Sequence, residues 1–423
     1  MSSIALRNSC SARILPWLLT VSVFAGIAFG QSGSISTCFS YDAENYGNPD
    51  SLLAVLNSSL DASPNDISVL EDRALLLGFM DDMESAIEDA ERIIQLQPDS
   101  GTGYIVLSAL QLHAGNYHEA MELSGRAIEL APDSAEYYSI RILAASYLGD
   151  YVQALNDSHA VAQLEPDNAD NYNTMASLQS QLGYYEEAIA NYGTAISLAP
   201  DSAPFLCNRG LTYMYMGRDE EALEDICHAA YLDQDRADTY AVRARFYLES
   251  GNSNVDLAMS DLDRAIQLEP DNPLRYRQKA SACYYHLEDF QGTIENMDLA
   301  VDVAPLDPEV VHTRGIFYMY AGMRDQALLD FDRALDLDPE YTHVLLNRGI
   351  VLDELGDVNG SISDFTRAIE IDSTLSQAYY YRGTLYEKLG ENDKAASDYA
   401  TCLEYAQDPT VIFYAQAALS RFQ

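Results

Sequence analysis

The sequence predicts an all-α protein, an α-solenoid of about ten stacked two-helix repeats. Three observations carry this prediction. Prolines recur about every 34 residues, glycines recur between them, and each interval reads as two amphipathic helices. One such hairpin cannot bury its apolar faces alone, so copies must stack on each other. The chain of 423 residues is also longer than one compact domain usually is.

The segment from Pro308 to Tyr341 shows the repeat most clearly. Its first predicted helix runs from Glu309 to Tyr320 and stops before Gly322, because glycine readily takes the left-handed conformation that ends helices. Its second predicted helix runs from Arg324 to Leu337. The proline two residues later cannot continue that helix. The sequence therefore predicts two helices joined by a short turn.

Residues 1–30 differ from the rest of the chain. They contain two arginines, no acidic residue, an apolar run from Ile14 to Phe29, and small residues just before Gln31. This pattern predicts a secretory signal peptide that is cleaved after residue 30. An uncleaved membrane anchor is the alternative, but a run of 16 residues interrupted by Pro16 is short for a bilayer span. We therefore expect an exported protein that acts in the periplasm, at the cell surface or outside the cell, without membrane insertion after cleavage.

The chain is strongly acidic. Cleavage would remove two of its 24 basic residues and none of its 66 acidic ones, which leaves a formal net charge of −44. Such a charge argues against nucleic acids and anionic membranes as partners. It permits a basic partner, although solubility alone also explains acidic side chains spread over helix faces.

Residue patterns give no sign of catalysis, of a cofactor or of a metal site. The five cysteines after residue 30 lack paired spacing, so they indicate neither a disulfide framework nor a zinc site. The histidines form no HExxH motif, and phosphate-binding glycine loops and nucleophile elbows are missing from the sequence. We therefore expect a protein that is not an enzyme.

The proline and glycine positions divide the chain after the signal peptide into three parts. Residues 31–66 are an irregular segment and a degenerate capping half-repeat, with a helix expected around residues 51–60. Residues 67–409 hold ten repeats, and residues 410–423 form a last capping helix. The sixth repeat has two extra residues in the loop between its helices, and the seventh has one near Tyr284.

The order of residue types within the repeats resembles the tetratricopeptide repeat family. The fourth repeat shows the family pattern at Tyr172, Ala176, Gly183, Ala188, Tyr192, Ala195 and Pro200. The eighth repeat shows it at Val311, Gly315, Tyr318, Gly322, Ala327, Phe331, Ala334 and Pro339. The resemblance implies a right-handed superhelix whose first helices line a concave groove that holds peptides or protein segments. Departures include Asp81 and Glu288 in place of the turn glycine.

Alignment of the repeats with each other reveals a recurring charge pair. Seven repeats carry an arginine on the first helix and an aspartate 16 residues later on the second, or 18 in the sixth repeat. Repeats that lose the arginine also lose the aspartate, so we expect a structural ion pair inside each hairpin rather than an anion-binding ladder. The pairs are Arg73 with Asp89, Arg141 with Asp157, Arg209 with Asp225, Arg243 with Asp261, Arg314 with Asp330, Arg348 with Asp364, and Arg382 with Asp398.

The family resemblance also suggests which residues face the groove. By that register they are Tyr147, Met214, Tyr215, Arg245, Arg277, Tyr284, Tyr285, His312, Met319 and Tyr320. Tyrosine offers rigid apolar area with a polar tip, which suits the grip on an extended segment. Because Arg245 and Arg277 flank these tyrosines, we expect a ligand that combines apolar side chains with an acidic or terminal carboxylate.

Three functions are compatible with these patterns. The first is an exported, non-enzymatic scaffold that binds protein or peptide partners in its groove. The second is an accessory subunit of an envelope enzyme or of a secretion or assembly machine, with a fixed interface. The third is an acidic cation-binding surface protein, although the sequence lacks an EF-hand loop.

Overall fold

A computed structural model describes residues 48–251 and 254–422. Within these ranges the chain contains 22 α-helices and no strand. The predicted all-α fold class of stacked helical hairpins is therefore confirmed. The predicted signal peptide lies outside the described residues.

The chain divides after Gln234 into two compact units. In the first unit, a single helix precedes five hairpins, and each helix packs on the next one in the chain. Its helices are α1 (Pro49–Ala62), α2 (Ile67–Phe79), α3 (Met83–Leu96), α4 (Thr102–His113), α5 (Tyr117–Leu130), α6 (Ala135–Tyr147), α7 (Tyr151–Leu164), α8 (Ala169–Gln181), α9 (Tyr185–Leu198), α10 (Ala203–Tyr215) and α11 (Asp219–Leu232).

The second unit has five hairpins followed by one more helix and a short 3-10 turn. Its helices are α12 (Ala237–Glu249), α13 (Val255–Leu268), α14 (Pro273–Leu287), α15 (Phe290–Val303), α16 (Pro308–Tyr320), α17 (Arg324–Leu337), α18 (Thr342–Leu355), α19 (Val358–Ile371), α20 (Ser376–Lys388), α21 (Asn392–Tyr405) and α22 (Pro409–Leu419), and the turn is Ser420–Phe422.

Local sequence explains where the helices begin and end. The Asp307 side chain accepts hydrogen bonds from the backbone N–H groups of Glu309 and Val310, and Pro308 occupies the first turn of α16, where no N–H partner is needed. At the other end of a first helix, Gly356 closes α18 with φ of 88°. Two turns lack the glycine, and there Asp81 and Glu288 take the left-handed conformation themselves, with φ of 66° and 52°.

The extra residue of the seventh repeat lengthens its first helix. Helix α14 has 15 residues, whereas α16 has 13. Glu288 ends α14, and its backbone N–H donates to the Cys283 carbonyl. The structure thus places Tyr285 in the last turn of α14.

In the third to tenth hairpins, the two helices meet where one carries a small residue and the other a large one. In the eighth repeat, a Cβ atom added to Gly315 would lie 2.6 Å from Cε1 of the fully buried Phe331. The third repeat reverses the two sizes, because the buried Ile142 and Ser158 occupy the same positions. Complementary volume at this contact therefore fills the space between the two helices of these hairpins.

Candidate partner-binding surface

Each of the seven arginines identified by the repeat alignment bonds to its aspartate through two nitrogens. The Nε and Nη2 atoms donate to the two carboxylate oxygens at 2.7 or 2.8 Å in every pair. This parallel two-bond geometry is the strongest arrangement for an arginine and a carboxylate. All seven aspartates are buried, and the arginines are half-buried.

Several of these arginines also reach the preceding hairpin, through a residue 16 positions earlier. Arg314 Nη1 donates to Asp298 Oδ1 at 2.8 Å, and Arg348 Nη1 donates to Asp332 Oδ1 at 2.7 Å. In the third repeat the corresponding position is Gly125, which has no side chain to accept. In all seven pairs the arginine therefore joins the two helices of its own hairpin, and Arg314 and Arg348 also link their hairpin to the preceding one.

The repeats without an arginine use other contacts. Lys279 Nζ bonds to Asp263 Oδ1 of the preceding hairpin at 2.5 Å. The seventh repeat therefore has the ion pair between hairpins but not the arginine–aspartate pair within its own hairpin. Leu107 is buried and its counterpart Leu123 is half-buried, so an apolar contact replaces the ion pair in the second repeat. Each of the seven guanidinium groups is thus paired with a buried carboxylate of its own hairpin. These arginines therefore stabilise the fold and do not form a row of unpaired charges for a ligand.

The second unit carries a cluster of tyrosines shared by two consecutive hairpins. The tyrosine cluster consists of Tyr284 and Tyr285 of α14 and Tyr320 of α16. The ring of Tyr284 lies 4.9 Å from that of Tyr285 and 6.0 Å from that of Tyr320, measured between centroids, and it rests on the buried Phe317. Tyr285 is 64% exposed and Tyr320 is 54% exposed. A rigid aromatic base thus supports two rings that face solvent.

The predicted groove tyrosines of the first unit form stacked pairs instead. Tyr147 stacks on Tyr117 with centroids 4.8 Å apart, and Tyr215 stacks on Tyr185 at 6.1 Å. In each pair, one tyrosine ends the first helix of a hairpin, and the other begins the second helix of the preceding hairpin. These rings therefore contribute to the contact between neighbouring hairpins as well as to the surface.

Four other predicted groove residues are less available than the sequence suggests. Arg245 bonds to Glu249 at 3.0 Å, and Arg277 bonds to Glu309 at 2.7 Å. Met214 and Met319 are half-buried. Because both arginines already have carboxylate partners, the reason for expecting an acidic ligand is lost.

His312 does not face solvent, contrary to the sequence-based assignment. It is buried between Phe331 and Tyr341, and the side-chain amide of Asn347 donates to its Nε2 atom at 2.8 Å. Burial lowers the pKa of His312 to about 4, so the ring is neutral near pH 7. It acts as a core residue and offers no positive charge to a partner.

Sequence reasoning missed one buried cation. Arg275 is only 3% exposed and bonds to Asp238 of the preceding hairpin and to Glu269. Its position three residues into α14 matches no recurring feature of the repeats, so the alignment gave no signal for it. The contact shows that charged links between hairpins are not confined to the repeated pairs.

In the part of the chain that the structure describes, no cation acts on the pKa of two half-buried carboxyl groups of the first unit. Burial raises the pKa of Glu71 on α2 and of Glu136 on α6 to about 7, and the charge of Glu136 adds to the shift at Glu71. Among the described residues, the buried Glu136 Oε1 has no hydrogen-bond partner. The folded protein therefore favours the protonated form of these groups.

We expect this burial to make the first unit less stable at alkaline pH. An unfolded glutamate ionises near pH 4.5 and folded Glu136 near pH 7, so stability falls as pH rises through that interval. Glu136→Gln cannot ionise and should gain about 1–2 kcal/mol at pH 8 and almost nothing at pH 4.5. Thermal melts at both pH values measure this difference. The exposed Glu187→Gln is the control, and an equal gain at both pH values would contradict the assignment.

Within residues 48–251 and 254–422, no group of three or more histidine, cysteine, aspartate or glutamate side chains is placed to hold a metal ion. None of the described helices has both the length and the apolar character needed to cross a bilayer.

Family models match part of the chain. A family model described as TPR repeat matches residues 180–217, and two described as Tetratricopeptide repeat match residues 313–376, 203–236 and 376–409. No curated protein matches the chain in sequence.

Two solved structures are similar to the chain at low sequence identity, and the first of them shares its fold. The crystal structure of yeast Tom70 is similar with a TM-score of 0.54 at 15% identity, over 88% of this chain and 92% of that one. TTC0263, a thermophilic TPR protein of Thermus thermophilus, has a TM-score of 0.39 at 22% identity, over 44% of this chain and 100% of that one. The matched stretches, residues 180–236 and 313–409, are therefore identified as tetratricopeptide repeats, and the other described hairpins have the same two-helix arrangement.

Proposed function

We propose that the protein is an exported, non-enzymatic scaffold that binds an extended segment of a protein partner at the tyrosine cluster of its second unit. The observation that carries the proposal is the pair of exposed rings, Tyr285 and Tyr320, held on the half-buried Tyr284 by two adjacent hairpins. Exposed aromatic side chains on a rigid support are typical anchors of protein interfaces.

The chemistry of the surroundings favours an uncharged or basic segment with apolar side chains. Arg277 is already bonded to Glu309, and the exposed Glu288 and Asp289 follow α14 directly. A carboxylate-bearing ligand would meet these acids and the formal net charge of −44 that remains after cleavage, because 22 basic and 66 acidic residues are left. Export rests on the pattern of residues 1–30, and protein isolated from its host should begin at or near Gln31.

Site-specific photocrosslinking in the native host tests the binding surface. A photoreactive amino acid is placed at Tyr285, at Tyr320 and, as a control, at Leu299 of α15, which is 48% exposed. We expect one partner to be crosslinked from both tyrosine positions and not from Leu299. Crosslinking of that partner only from Leu299 would place the interface on the second helices and favour an accessory subunit with a fixed interface.

A further inference from the structure

Helix α22 is packed on one side and exposed on the other. Ala415 and Ala418 are buried against the last hairpin, where Ala418 joins the core around Tyr399. Arg421, just after the helix, bonds to Glu387 of α20 at 2.7 and 2.9 Å. The helix is therefore firmly docked, and its outer face has a defined orientation.

The outer face of α22 is largely apolar and carries no charged side chain. Phe413 is 65% exposed and Tyr414 is 53% exposed. With the exposed Thr410 and Ala417 they form a stripe at helical spacing, which we call the α22 stripe. A helix that closes a stack of repeats normally turns a polar face to solvent, so this stripe departs from the expected cap.

The position of α22 within the repeat pattern explains the apolar stripe. Phe413 and Ala417 lie 34 residues after Tyr379 and Gly383 of α20. In α20 those two positions contact the second helix of the hairpin, because Tyr379 stacks on Tyr405 and Gly383 lies against Tyr399. The α22 stripe thus corresponds to the surface that the first helix of a hairpin buries against the second helix of the same hairpin. Among the described residues, no second helix covers the stripe.

Charge indicates what can cover the stripe. The chain carries 66 acidic and 24 basic residues, so two copies repel each other over most of their surface. Of the described helices, only α4 and α22 lack Asp, Glu, Lys and Arg, and α4 is largely buried in the first unit. The α22 stripe is therefore the helical surface at which two copies can approach with least repulsion.

We infer that α22 pairs with α22 of a second copy, which makes the protein a symmetric homodimer. The same stripe serves both subunits, as twofold symmetry requires, and the small Ala417 beside Phe413 lets two helices approach closely. One stripe of about two helical turns per subunit buries a small area, so the dimer should form in a concentration-dependent way. Because apolar contacts oppose charge repulsion, added salt should strengthen it.

Sedimentation equilibrium of the full chain tests this inference. We expect the weight-average mass to rise with protein concentration and to rise further between 20 and about 500 mM NaCl, where charge repulsion is screened. Phe413→Glu places a charge in the stripe of each copy and should weaken self-association at least tenfold. The control is Leu329→Glu on α17, where the leucine is 69% exposed.

Circular dichroism of both variants verifies that they remain folded. The inference is overturned if the parent stays monomeric at every concentration and salt level. It is also overturned if Phe413→Glu associates as the parent does, or no more weakly than Leu329→Glu.

Discussion

Replacing Phe331 by serine should lower the free energy of unfolding of the second unit by about 3–5 kcal/mol, the range for deleting a buried aromatic side chain. Phe331 is fully buried, and its ring lies over Gly315, where no side chain exists to fill the space that would be left. Urea unfolding followed by circular dichroism measures the loss.

The third repeat shows which second substitution should compensate for the loss of Phe331. In the third repeat Ile142 and Ser158 stand where the eighth has Gly315 and Phe331. Combining Gly315→Ile with Phe331→Ser copies that arrangement and should recover a substantial part of the loss, because volume is conserved across the contact. Gly315→Ile alone should destabilise, since its Cβ would meet Phe331 at 2.6 Å. Additive losses in the double variant would contradict complementary packing.

Replacing Asp330 by alanine should destabilise the same hairpin by about 1–3 kcal/mol, because it strands the half-buried Arg314. Arg314 keeps its hydrogen bond to Asp298 at 2.8 Å, which should reduce the loss of stability. Asp157→Ala should therefore cost its own hairpin more, since the residue that corresponds to Asp298 beside Arg141 is Gly125. Urea midpoints of the two variants, each compared with the parent, test this order.

A double change tests whether the pair is a structural contact. Leucine at both position 314 and position 330 imitates Leu107 and Leu123 of the second repeat and should recover part of the stability lost in Asp330→Ala. An Asp330→Ala variant that unfolds like the parent would show that the ion pair contributes nothing to stability.

The repeat period made the fold predictable, because it fixes helix lengths, turn positions and the small residues at helix contacts together. The same internal alignment located the arginine–aspartate pairs. It also contained a signal that sequence reasoning did not use. The position 16 residues before an arginine is a hydrogen-bonding residue such as Asp332 in some repeats and a glycine such as Gly193 in others, and Asp332 links Arg348 to the preceding hairpin.

The partner surface was less predictable, since exposure depends on what the neighbouring hairpin contributes. The pairing of Arg245 with Glu249, one turn later on α12, is readable from helical spacing. The pairing of Arg277 with Glu309 joins two hairpins and requires their relative placement. His312 is buried because Phe331 and Tyr341 enclose it, which no local pattern reveals.

The affinity of the crosslinked partner for matched variants tests the proposed binding surface most directly. Calorimetric titration of that partner should show at least a tenfold loss, more than about 1 kcal/mol, for Tyr285→Ala or Tyr320→Ala. Leu299→Ala, changed on a second helix, should bind like the parent, and all three variants should keep the parent's melting temperature. Unchanged affinity in both tyrosine variants would contradict binding at the tyrosine cluster.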